Sequence, residues 1–138
     1  MTTTVILRPA SVTMAELKAI SDGANAKLDP AFWPKVEAAA KIVADAANGK
    51  AAVYGVNTGF GKLASKRIAP VDTATLQRNL ILSHCCGVGD PTPKRIARLT
   101  IALKIASLGR GASGVRRVVI EQLEALLVGD LLRLDLHG

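Results

Sequence analysis

The chain alternates short apolar runs with proline and glycine punctuation, and the spacing of the apolar residues predicts a series of helices with little sheet. Val5 to Leu7 predicts a short strand of unknown partner that stops at Pro9, because proline cannot donate to a sheet ladder. Thr13 followed by Glu16 has capping-box spacing and predicts a helix to about Ser21, ended by Asp22-Gly23. Asp29-Pro30 reads as a cap and first helical residue of a helix through Val36, Ala40, Val43 and Ala47, closed at Asn48-Gly49. Ala51 to Tyr54 is apolar and strand-like, and it feeds a loop with glycines at 55, 59 and 61. Asp72 is placed to cap a helix with Leu76, Leu80 and His84 along one side, so His84 is expected on or beside a buried stripe. Thr92-Pro93 restarts a helix with Ile96, Leu99, Leu103 and Leu108 facing inward. Beyond a glycine-rich break at 109–114, Val115, Val118, Val119, Leu123, Leu126 and Leu127 form a last helical stripe.

The expected class is therefore mainly α with one or two short strands. Composition agrees: 49% of the 138 residues are hydrophobic but only 3% are aromatic, a mix that favours helices packed on small and branched aliphatic side chains in one domain. No stretch reaches the roughly eighteen apolar residues of a membrane span, and the amino terminus lacks a basic start followed by a sustained apolar run. A cytoplasmic protein without membrane association is expected. The formal charge of +7 does not by itself indicate nucleic acid. Its cations (Lys35, Lys41, Arg78, Lys104) are scattered through amphipathic segments, and the aromatics that stack on bases are nearly absent. Cys85 and Cys86 are adjacent and poorly placed to pair with each other, which fits a reducing compartment.

Two places carry candidate chemistry. The chain's single tyrosine, Tyr54, opens the loop Tyr54-Gly-Val-Asn-Thr-Gly-Phe-Gly61, whose glycines permit unusual backbone angles and close ligand approach. A phenol is a weak base until its ordinary pKa of about 10 is lowered, so the same pattern also suits a structural tyrosine beside a turn. The loop lacks the spacing and the Ser or Thr after Lys62 that a phosphate-binding loop requires. His84, flanked by Ser83, Cys85 and Cys86, could meet a substrate or rest against a backbone carbonyl. One histidine and two adjacent cysteines do not supply the separated pairs of a zinc site, and no metal is expected.

Three motifs in order, Tyr54 to Gly61, Leu76-Gln-Arg-Asn-Leu-Ile-Leu-Ser-His84 and Ser107-Leu-Gly-Arg-Gly-Ala-Ser-Gly-Val-Arg116, resemble the aromatic amino acid ammonia-lyase family over about residues 3 to 127. The resemblance implies the amino-terminal helical domain of that fold without its central helical bundle. Ser83-His84 looks like the histidine-selective version; phenylalanine lyases carry a bulkier apolar pair, and tyrosine lyases typically keep the histidine beside a leucine. An imidazole offers ring nitrogens that a hydroxyl and a histidine can meet by hydrogen bonding. The implied reaction is loss of ammonia from L-histidine to give urocanate, the first step of histidine degradation, with Tyr54 as base, His84 and Ser83 holding the ring, and Gly61 shaping the loop. The family's electrophile is a self-made methylidene-imidazolone, and the family assembles as a homo-oligomer, a tetramer.

Ala112-Ser113-Gly114 has the letters of the tripeptide that cyclises to that group, but it is a decoy. In the family the tripeptide lies farther along, ahead of an Asp-Leu stretch, whereas Gly114 here runs into Val115-Arg116-Arg117. The implied domain is 1–127, followed by a divergent tail at 128–138 that includes His137. A chain ending before the true tripeptide is expected to be inactive alone. The alternative is a noncatalytic helical fragment or assembly module that associates through exposed apolar faces.

Overall fold

A computed structural model describes residues 2–59, 61–63, 66 and 68–129. The expected tail at 130–138, His137 included, lies outside the described residues. The rest is mainly helical, as the apolar spacing predicts: β1 (Thr4–Leu7), α1 (Met14–Ser21), β2 (Asn25–Leu28), a 3-10 turn (Pro30–Phe32) running into α2 (Trp33–Asn48), a second 3-10 turn (Gly61–Leu63), α3 (Pro70–His84), α4 (Lys94–Leu108) and α5 (Arg117–Val128). These fall into two compact units, 1–40 with 90–138, and 41–89.

In the first unit β1 and β2 pair in parallel, Thr4 opposite Asn25 through Leu7 opposite Leu28, with α1 as the crossover. The capping box forms as expected: Thr13 Oγ1 accepts from the Glu16 amide at 3.2 Å, and the Glu16 carboxylate accepts from the Thr13 amide at 2.7 Å. Asp29 likewise accepts from the Ala31 amide at 2.9 Å, opening the 3-10 turn ahead of α2. Leu7, Ile20, Ala26, Leu28, Val36, Ala102, Ile105, Leu108, Ile120 and Leu127 form the core. Each large aliphatic buried there contributes about 1.5–3 kcal/mol, whereas exposed ion pairs such as Lys41–Asp45 contribute about 0–1 kcal/mol, so the aliphatic core decides the fold.

The second strand is not where the apolar run predicts. Ala51 to Tyr54 forms no strand; Asn57 Oδ1 accepts from the Val53 amide at 2.8 Å, taking the donor a sheet partner would need. The partner of β1 is Asn25–Leu28, whose alternation buries Ala26 and Leu28. Its amide at Leu28 is closed by Glu124 Oε1 of α5 at 2.8 Å.

Two helical stripes match their expected faces only in part: Leu108 and Leu127 are buried, and Val115 and Leu123 pack against the core, as their spacing predicts. On α4 the buried face is Arg98, Ala102, Ile105 and Leu108, while Ile96 and Leu103 are about half exposed. Just past its end, Gly109 sits so close to Leu28 that a β-carbon would fall 2.3 Å from its Cδ1. On α5, Ile120 and Leu127 are buried and Val118 and Val119 are exposed, because the helix turns Glu124 toward the sheet edge.

Arg98 is the charge that this core buries, at 4% exposure. Its Nε donates to Ile20 O at 2.7 Å, Nη1 to Leu127 O at 3.1 Å, and Nη2 to Ala24 O. Ile20 and Leu127 lie in the last turns of α1 and α5, so one guanidinium meets the negative ends of two helix dipoles.

Candidate active site

Every residue singled out as carrying site chemistry belongs to the second unit, 41–89. There the glycine loop is built around Asn57, which is 1% exposed. Its side chain accepts from Val53 N and donates to Ala46 O at 3.2 Å and Ala51 O at 3.0 Å, tying the loop to the end of α2. Its backbone carbonyl accepts from Ile68 N at 2.8 Å, and Gly59 N donates to Lys66 O at 3.1 Å. Thr58 is buried beside it. Asn57 is a residue that apolar spacing does not single out; its signal is an asparagine inside a glycine-rich turn, a position suited to side-chain bonds with local backbone.

Tyr54 stands on the turn that this anchor holds. Val53 O accepts from Val56 N at 3.1 Å and from Asn57 N at 3.2 Å. Gly55, third in the turn Val53–Val56, has φ 77°, a value that suits glycine and resists side chains. The Tyr54 side chain is carried outward and is 65% exposed. Gly61 also has a positive φ, 57°, and begins the 3-10 turn.

Ser83 and His84 end α3. Ala69 rather than Asp72 is the cap of that helix: Pro70 takes the first helical position, whose missing amide costs nothing there, and Asp72 falls inside the first turn. His84 is exposed, not buried as its spacing from Leu76 and Leu80 suggests. Leu76 and Leu80 are themselves only half-buried, since periodicity sets which residues share a face and not whether anything covers it.

The last turn of α3 satisfies its own carbonyls. Ser83 Oγ donates to Leu80 O at 3.0 Å, and His84 Nδ1 lies 2.8 Å from the same oxygen and 3.0 Å from Ser83 Oγ. A carbonyl can only accept, so in the neutral imidazole this arrangement places the proton on Nδ1 and makes Nε2 the acceptor nitrogen. The structure thus joins Ser83 to His84 through Leu80 and sets Tyr54 and Gly61 on a separate loop of the same unit. Among the described residues no three His, Cys, Asp or Glu side chains cluster so as to hold a metal. No helix among them is long and apolar enough to cross a membrane.

Ala112, Ser113 and Gly114 belong to the first unit, in the connection from α4 to α5. Here the glycines serve the turn: Gly111 and Gly114 have φ 70° and 66°, and a β-carbon on Gly111 would lie 2.8 Å from the Lys35 backbone.

The chain belongs to the aromatic amino acid lyase family, whose profile matches residues 12–132. Within it the chain is 63% identical over 123 residues to the histidine ammonia-lyase of Bradyrhizobium diazoefficiens, a match covering 89% of this chain and 24% of that relative. Among solved structures, ergothionase from Treponema denticola superposes with a TM-score of 0.83 at 25% identity over 90% of this chain and 25% of its own. Tyrosine aminomutase from Streptomyces globisporus gives 0.79 at 25% identity, over 92% of this chain and 24% of its own. Phenylalanine aminomutase from Pantoea agglomerans gives 0.77 at 23% identity, over 91% and 25%, and testifies to the fold alone. The chain spans about a quarter of the length of these relatives.

Proposed function

We propose that this chain is the amino-terminal part of a histidine ammonia-lyase, and that the whole protein eliminates ammonia from L-histidine to give urocanate. The observation that carries the reading is the end of α3, where Ser83 and His84 share the Leu80 carbonyl and His84 presents Nε2 as an acceptor. An imidazole ring N–H is a donor that Nε2 can receive, and an apolar ring offers none. The identity to the Bradyrhizobium histidine ammonia-lyase supports the same substrate. Tyr54, held out from an Asn57-anchored turn, is the proposed base, and Gly61 shapes the loop behind it. In the whole protein the self-made methylidene-imidazolone supplies the electrophile. Its precursor is not Ala112-Ser113-Gly114, whose glycine-rich turn lets the α4–α5 connection close on Lys35. No other Ala-Ser-Gly occurs within the 138 residues, so this segment by itself is proposed to form no urocanate. The full enzyme is a cytoplasmic homo-oligomer, a tetramer as in the family, with no metal, membrane or nucleic-acid partner.

A chimera tests this reading: residues 12–127 of this chain replace the matching segment of the Bradyrhizobium enzyme. It is expected to convert L-histidine to urocanate and to leave L-tyrosine and L-phenylalanine untouched, whereas the isolated chain produces no urocanate. Turnover of tyrosine by the chimera, or urocanate from the isolated chain, contradicts it.

A second reading, self-association of the chain as an assembly module, is favoured by one set of observations. Met14, Leu17, Leu99 and Leu103 line an open apolar groove of about 440 Å³ in the first unit, and Met14 is 81% exposed.

A further inference from the structure

We propose that Cys85 and Cys86 form an exposed vicinal dithiol that captures a trivalent thiophilic electrophile, with an arylarsenoxide as its simplest ligand. Both thiols are exposed. Cys85 caps α3 with φ −84° and ψ 61°, so the pair has already left the helix, where successive side chains diverge. Its Sγ donates a weak bond to Leu82 O at 3.6 Å. Gly87 and Gly89 follow, and Gly89, at φ 94°, has open space around it, so the backbone beyond the pair can adjust.

The geometry selects the ligand. Neighbouring α-carbons lie about 3.8 Å apart across a trans peptide, closer than the roughly 4.4–6.8 Å a disulfide spans, so the two sulfurs are poorly disposed to oxidise onto each other. A three-coordinate atom inserted between them lengthens the bridge and removes that constraint. No third His, Cys, Asp or Glu joins them among the described residues. A zinc ion, which takes about four ligands, is therefore poorly served, while a mono-organic arsenic with two exchangeable positions is fully served. The step is a condensation without redox change. Two S–H bonds break, two As–S bonds form, and the arsenoxide oxygen leaves as water with both protons.

The test is phenylarsine oxide on the 138-residue chain, followed by intact mass. One phenylarsenic is expected per chain, resistant to a wash with excess 2-mercaptoethanol and removed by 2,3-dimercaptopropanol. Because two-point attachment is lost, Cys85→Ser and Cys86→Ser should each weaken retention about 100-fold or more. Circular dichroism of each variant verifies the fold, and both serines are small and exposed. Release from the wild type by the monothiol overturns the proposal, as does wild-type retention by either single variant. The reading of the chain as a lyase fragment stands or falls separately, since this assay involves no turnover.

Discussion

At the residue scale, three side chains or their absence hold the architecture, and each makes a distinct prediction. Arg98 closes three carbonyls in the core, so Arg98→Met strips donors from Ile20, Ala24 and Leu127. A loss of about 2–5 kcal/mol in urea unfolding is expected, and Arg98→Lys should recover only part of it, since one ammonium cannot reproduce a planar fork. A lysine variant as stable as the wild type would show that the fork is not what the core needs. Asn57→Ala removes the acceptor for Val53 N and the donors to Ala46 O and Ala51 O. The expected cost is about 2–3 kcal/mol, with hydrogen exchange at the Val53 amide accelerating ahead of the core amides; unchanged exchange there counts against the anchor. Gly111→Ala should exceed the roughly 1–2 kcal/mol that a left-handed backbone costs any alanine, because the added carbon meets Lys35. Gly61→Ala has open space and should cost only the backbone share, so equal losses at the two glycines refute the close approach.

At the scale of elements, what is legible in the sequence is what is decided locally. Thr13 with Glu16 and Asp29 with Pro30 place helix starts because cap and partner lie within three residues. β2 is not legible: Asn25-Ala-Lys-Leu28 has no β-branched residue, and its strand state comes from pairing with β1 and from Glu124, distant in sequence. The stripes of α4 and α5 mislead in part for the same reason: Leu108 and Leu127 are buried as expected, but the α4 face also takes in Arg98, whose bonds reach carbonyls distant in sequence. The site divides likewise. Tyr54 and Ser83-His84 stand out by residue type and motif, but the exposure of His84 and the anchoring by Asn57 depend on the folded backbone. The caps also set the acid response. Bonds from the Thr13 amide, then its hydroxyl, hold the Glu16 carboxyl below the usual range; the Ala31 amide, then Arg8, does so for Asp29; Lys18, then Arg95, for Asp22. Each carboxyl binds a proton more readily unfolded than folded. Their contribution is complete above the ordinary carboxylate range and is lost as the pH falls below about 4. The urea midpoint should therefore drop between about pH 5 and pH 3, and Glu16→Gln should make that drop shallower; an unaltered slope in the variant removes Glu16 from the account.

At the scale of the whole molecule, exposed apolar surface and family membership point the same way. Met14, Ile42, Val71 and Val88 are each more than two-thirds exposed, and the chain spans about a quarter of its relatives' length. Sedimentation velocity on the isolated chain should show concentration-dependent association, which Leu103→Lys in the α1–α4 groove reduces; a monomer at all concentrations argues against exposed packing faces. The most direct test of the central claim, that this chain carries the base and the ring-binding pair of a histidine-deaminating site, is steady-state urocanate formation by the chimera with Tyr54→Phe. Loss of a positioned acid–base group should lower kcat by about 100- to 10,000-fold with KM little changed. A kcat within a few-fold of the unsubstituted chimera would contradict the assignment of Tyr54 and with it the account of the site.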